Sequence, residues 1–131
     1  MDQEQQPKPV FWIRTSKRDL KALPGEVRRA MGYAIWVAQL GDKHPDAKPL
    51  KGFGGAGVLE VVEDFDRSTY RTVYTVKFAG AVYVLHAFQK KSKTGSKTPA
   101  SAIELVRKRL KEAGEHYAKW HASQAKNGNK A

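Results

Sequence analysis

Residues Tyr70 to Lys93 read YRTVYTVKFAGAVYVLHAFQKKSK. Tyr, Thr and Val crowd the run from Tyr70 to Phe78, and Ala81 to Phe88 is as rich in β-branched and aromatic residues, so both read as strands. Ala79-Gly80 between them reads as a tight turn. A two-residue turn sets Phe78 opposite Ala81, Tyr74 opposite Leu85 and Arg71 opposite Phe88. Arg71, Val73, Thr75, Lys77, Val84, His86 and Phe88 then share one face, which Lys90 continues. Tyr70, Thr72, Tyr74, Val76, Phe78, Tyr83 and Leu85 share the other, which reads as core. The second strand runs into Lys90, Lys91 and Lys93, so the hairpin delivers positive charge to one place.

Upstream, Val10 to Ile13 is a short apolar strand, and residues 1–9 are polar, hold two prolines and read as disordered. Ser16 is placed as a helix N-cap with Asp19 behind it. Leu20, Leu23, Val27, Met31, Ala34, Ile35 and Ala38 recur at helical spacing to a stop at Gly41, which predicts a helical pair over 16–40. Its cations lie off that stripe, and Trp12 and Trp36 are assigned to the core. Asp42 to Gly57 reads as loop, Val58 to Val62 as a strand, and Glu63 to Arg67 as an acidic turn into the hairpin. Thr98 then caps a helix with Pro99 at its first position and an apolar stripe through Ala102, Val106, Leu110, Ala113 and Tyr117. The order β-α-α-β-β-β-α implies an α+β domain, a small, mostly antiparallel sheet with helices against one face. The domain is drawn over residues 10–120, with a flexible tail over 121–131.

The 131 residues suit one domain with a real core. They include 24 Lys and Arg against 13 Asp and Glu, for a net charge of +11. From Lys90 onward there are 11 Lys and Arg and three acids, so +8 of the +11 lies there. That clustering points to a polyanion partner. Cysteine is absent, which is compatible with a reducing cytoplasm, and neither a signal peptide nor an apolar run of membrane-spanning length is present. His44, His86, His116 and His121 lack metal-ligand spacing, the GFGGAG run lacks the context of a phosphate loop, and a nucleophile elbow is missing. No metal or cofactor is expected. What remains is chemistry by Lys, Arg, His and Tyr. RNA cleavage suits that set, because the 2′-OH is its own nucleophile and the protein need only move protons and hold a phosphate. Like-charge repulsion in a lysine cluster favours a neutral, basic amine, and arginine can grip the phosphorane. Binding of nucleic acid without catalysis fits the same composition.

The run GVLEVVEDFD through YRTVYTVKFAGAVYVLHAFQKKSKTG, followed by TP and a helix, strongly resembles the phage-derived HigB-like branch of the RelE/ParE toxin superfamily. The preceding helical pair and PLKGF fit too, so the likeness covers roughly residues 10–113. It implies a small antiparallel sheet with two N-terminal helices on one face and a C-terminal helix. It also implies a toxin that cleaves mRNA, commonly on the ribosome, and is neutralised by a helix-turn-helix antitoxin. The family's basic positions fall on Lys51, Arg71, Lys90 and Lys91, with Lys93 nearby. On this reading Arg71 holds the scissile phosphate and one of Lys51, Lys90 or Lys91 is the base. His86, Lys93, Arg107 and Lys111 would contact RNA. Where many relatives have ELR this chain has Glu60-Val61-Val62, so one arginine is missing. A ParE-like gyrase inhibitor is the alternative within the superfamily.

Overall fold

The computed structural model describes residues 6–55, 57–90 and 97–128. Elements follow in the order β1 (Val10–Trp12), α1 (Ser16–Lys21), α2 (Gly25–Gln39), β2 (Ala47–Pro49), β3 (Val58–Phe65), β4 (Ser68–Thr75), β5 (Val82–Lys90) and α3 (Ala100–Gly128). The strands form one sheet in the order β1-β5-β4-β3-β2, antiparallel except for β1 beside β5. The α+β class therefore stands, with one strand more than the sequence suggests. Only three residues long and carrying Lys48 and Pro49, β2 lacks any alternating pattern, so it reads as loop until its pairing with β3 is seen.

Helices cover both faces of the sheet, which corrects the one-sided layering expected from element order. Val27, Met31, Ala34, Ile35 and Ala38 of α2 pack with Leu59, Val61, Tyr70, Tyr74, Val82 and Val84 on one face. Val106 and Ala113 of α3 pack with Val58, Val73, Tyr83 and Leu85 on the other. Strands buried on both sides need apolar residues at consecutive positions, and β5 has them from Val82 through Leu85. Trp36, assigned to the core, stands exposed on α2. Trp120 instead packs edge-on to Phe11, 5.3 Å between rings. Residues 121–128, read as a flexible tail, continue α3. Lys8 is tied to the end of α2: its N–H donates to the Gln39 carbonyl at 2.9 Å, and Gln39 Nε2 donates back to its carbonyl at 2.8 Å.

In the central hairpin Ala81 N–H donates to the Phe78 carbonyl at 3.2 Å across Ala79-Gly80, where Gly80 has φ +83. The turn is the one expected, and Arg71 does face Phe88. Between them the register shifts. Val73 pairs with His86 and Tyr74 with Val84, so Leu85 is an extra residue in β5. This bulge moves Tyr83 and Leu85 to the α3 face and Val84 to the α2 face, reversing the expectation for all three. Carbonyls at the bulge find partners outside the ladder. Ser16 Oγ donates to the Val84 carbonyl at 3.1 Å, and the Arg109 guanidinium donates to the Leu85 carbonyl at 2.9 Å. Ser16 is thus a buried strand contact, and the N-cap position of α1 is Thr15, whose hydroxyl donates to Asp19 at 2.6 Å. Arg109 is 8 % exposed.

Beside the bulge the His86 ring stacks on Phe88, 4.5 Å between centroids. Burial, and the Arg109 charge nearby, push the imidazole from 6.5 down to about 4, with Asp19 opposing. The folded protein therefore holds His86 neutral where the unfolded chain protonates it. As pH falls from about 6.5 to about 4 the unfolded state takes up a proton that the native state refuses, and stability drops by roughly 2–3 kcal/mol. Urea unfolding at pH 7, 5.5 and 4.5 is expected to show this loss in the wild type. In His86→Phe, which keeps a ring against Phe88, that part of the pH dependence should vanish.

Candidate active site

Residues alternate along β3: Val58 packs toward α3, and Leu59 and Val61 pack toward α2. Glu60 therefore lies on the α3 face. On β4 the same alternation puts Arg71 there beside Val73. Arg71 Nη1 donates to Glu60 Oε1 at 2.9 Å, and the Thr98 hydroxyl, just before α3, donates to Glu60 Oε2 at 2.5 Å. Arg71 Nη1 also reaches the Thr98 hydroxyl oxygen at 3.3 Å. Arg71 is 4 % exposed. Its Nη1 is engaged by Glu60 and Thr98 together. Thr98 joins this network, while the first helical N–H groups of α3, those of Ala102 and Ile103, turn to the Pro99 carbonyl.

A cavity of about 420 Å³ opens between the loop after β2 and the start of α3. Its walls include Lys48, Lys51, Lys97, Glu60 and Thr98. The three lysines are exposed, and Glu60 stands among them. Lys51 leads into the glycine-rich loop, which is anchored at both ends. Gly57 has φ +76 and lies so close to the Lys77 backbone that a Cβ would come within 3.2 Å of it; its carbonyl accepts from Val76 N–H and from Thr75 Oγ1, each at 3.0 Å. At the other end Phe53 enters the core, and the Arg107 guanidinium lies over its ring at 4.8 Å. Such stacking of a cation on an aromatic face is attractive, and Arg107 also donates to the Gly52 carbonyl at 3.4 Å. Arg107, expected to touch RNA, holds the segment that carries Lys51.

A second cavity, about 440 Å³, flanks the β5 side of the same helix start. It is lined by His86, Phe88 and Lys90 together with Pro99, Ser101 and Leu105. Lys90 is 7 % exposed. Of Lys51, Arg71 and Lys90, expected around one phosphate, Lys51 lines the first cavity and Lys90 the second, and Arg71 is buried against Glu60. Lys91 and Lys93 fall outside the described residues. Lys111 is exposed on α3. Val62, at the position of the missing arginine, pairs with Arg71 and is exposed. Sequence reasoning passed over Glu60, Lys48, Lys97 and Thr98. The available signal was Glu60 itself, a carboxylate in the apolar half of β3, on the strand next to the one that carries Arg71. Among the described residues no group of three or more His, Asp or Glu side chains could hold a metal ion, and no helix is long and apolar enough to cross a membrane.

Removing one partner of a buried ion pair strands the other charge. Arg71→Ala is therefore expected to cost about 3–5 kcal/mol of stability. Arg71→Met combined with Glu60→Leu should recover most of that loss, since neither charge then remains. Chemical denaturation of the three proteins measures both effects, and a stability within about 0.5 kcal/mol of wild type for Arg71→Ala alone would contradict the structural role.

Among solved structures, the chain is similar to one in the RelBE2 toxin–antitoxin complex from Mycobacterium tuberculosis. Sequence identity is 24%, the TM-score is 0.43, and the match covers 70% of this chain and 100% of that one. No curated protein matches it. The family model for phage derived Gp49-like proteins matches residues 18–111, a span running from α1 into α3 that contains Glu60, Arg71, Lys51, Lys97 and both cavities. The chain belongs to this phage-derived Gp49-like family, a RelE/HigB-type toxin family.

Proposed function

We propose that this protein is the toxin of a toxin–antitoxin pair and acts as a metal-independent endoribonuclease on mRNA engaged with the ribosome, held in check by a helix-turn-helix antitoxin. The observation that carries the chemistry is the lysine-walled cavity with one carboxylate in it. Lys48, Lys51 and Lys97 supply positive charge for a scissile phosphate and for the extra charge of the phosphorane. Glu60, held by Arg71 and Thr98, is the acceptor for the 2′-OH proton. One of the exposed lysine ammonium groups, Lys51 or Lys97, donates a proton to the departing 5′-oxygen. The products are a 2′,3′-cyclic phosphate and a free 5′-hydroxyl, with atoms and charges balanced by the two proton transfers. In this scheme Arg71 is a positioning residue that orients the base, and it replaces the direct phosphate contact expected from the sequence. Lys111 is exposed on α3, and in this reading it meets further phosphates of the same RNA.

Glu60→Gln keeps the shape and a hydrogen-bonding end while removing the base. Cleavage of RNA by the purified variant is expected to fall by about 10²–10⁴-fold, with thermal unfolding changed far less than by Arg71→Ala. Full activity in Glu60→Gln would return the role of base to a lysine.

A further inference from the structure

Helix α2 turns an unusual face outward. With Val27, Met31, Ala34, Ile35 and Ala38 against the sheet, the opposite ridge runs through Arg29, Gly32, Tyr33 and Trp36 at helical spacing. A surface helix ordinarily carries polar residues there. Instead, Tyr33 is 59% exposed and Trp36 43% exposed, the most exposed of the large apolar side chains among the described residues. Gly32 sits beside them in mid-helix. A Cβ added there would meet nothing within 4 Å, so the fold has no packing reason for a glycine that costs about 1 kcal/mol of helix stability. An absent side chain next to two aromatic rings leaves a notch into which another backbone can settle. The ridge is also cationic at one end. Lys17, Arg18, Lys21, Arg28 and Arg29 are all exposed on the α1–α2 pair, against Asp19 and Glu26. The Arg28 and Arg29 guanidinium groups gather by Gly25, one turn or two from the notch.

We infer that the α2 ridge is the docking surface for an acidic amphipathic helix of the antitoxin, which rests on the toxin–antitoxin reading above. Apolar side chains of that helix cover Tyr33 and Trp36, its backbone approaches at Gly32, and its carboxylates meet Arg28 and Arg29. The charge favours an acidic occupant over a second copy of this chain, which carries a net charge of +11 itself. The face lies on the α2 side of the sheet, opposite the cavities beside α3, so an antitoxin seated here leaves the lysine-walled site uncovered by this contact.

The test is calorimetric titration of the purified protein with the product of the gene beside its own, using wild type, Trp36→Ala and Gly32→Leu. Loss of a buried aromatic anchor is expected to weaken binding about thirtyfold or more. Gly32→Leu should weaken it at least as much by filling the notch, although leucine is the better helix former and the variant should unfold at a temperature no lower than wild type. RNA cleavage by both variants should match wild type. Equal affinity in all three proteins would overturn the α2 docking surface while the toxin–antitoxin reading stands. No binding by wild-type toxin would overturn that reading, and the docking surface with it.

Discussion

The ion pair between Glu60 and Arg71 is the constraint on which the functional end of the molecule depends. Two charges on adjacent strands, buried beneath the start of a helix, tolerate little freedom. The low dielectric that makes their separation costly also requires their remaining hydrogen-bonding positions to be filled. Thr98 fills one of them, and in doing so it fixes where the chain enters α3. Two cavities then open on either side of that entry, one toward β2 and β3, the other toward β5. A pair with an ordinary structural purpose thereby leaves a carboxylate facing a ring of lysines.

The bulge at Leu85 plays the corresponding part in the other half of the fold. An extra residue in β5 interrupts the ladder and leaves carbonyls that need donors. Ser16 and Arg109 supply them from α1 and α3, so helices on opposite faces are stitched to the same irregularity. Beyond the bulge His86, Phe88 and Lys90 keep the pairing with β4 that the turn predicts and line the second cavity, and the Arg109 charge helps keep His86 neutral.

Much of this was legible in the sequence. The strand runs, the Ala79-Gly80 turn, the α2 stripe and the pairing of Arg71 with Phe88 follow from local chemistry and period. Each miss has a physical origin. A bulge adds one residue without any marker in composition, so Val84 and Leu85 exchange faces. A three-residue edge strand such as β2 exists only through its partner. Trp36 reads as core because it is large and apolar, yet core membership depends on the angle around the helix, and it lies opposite Met31. Arg71 reads as a ligand for phosphate because a charge inside a strand needs a counter-charge. Nothing local to Arg71 shows that Glu60 on the neighbouring strand accepts from its Nη1. Nothing local to Lys48, Lys97 or Thr98 says that a sheet edge and a helix start will meet at one cavity.

The mechanism stands on the claim that side chains alone cut RNA through its own 2′-OH. The most direct measurement is the chemistry of the ends left when the purified protein cuts a defined RNA with ribosomes present. The scheme requires 2′,3′-cyclic phosphate and 5′-hydroxyl ends. Cleavage that leaves 3′-hydroxyl and 5′-phosphate ends would mean that water, not the 2′-OH, is the nucleophile and that Glu60 and its lysines do other work.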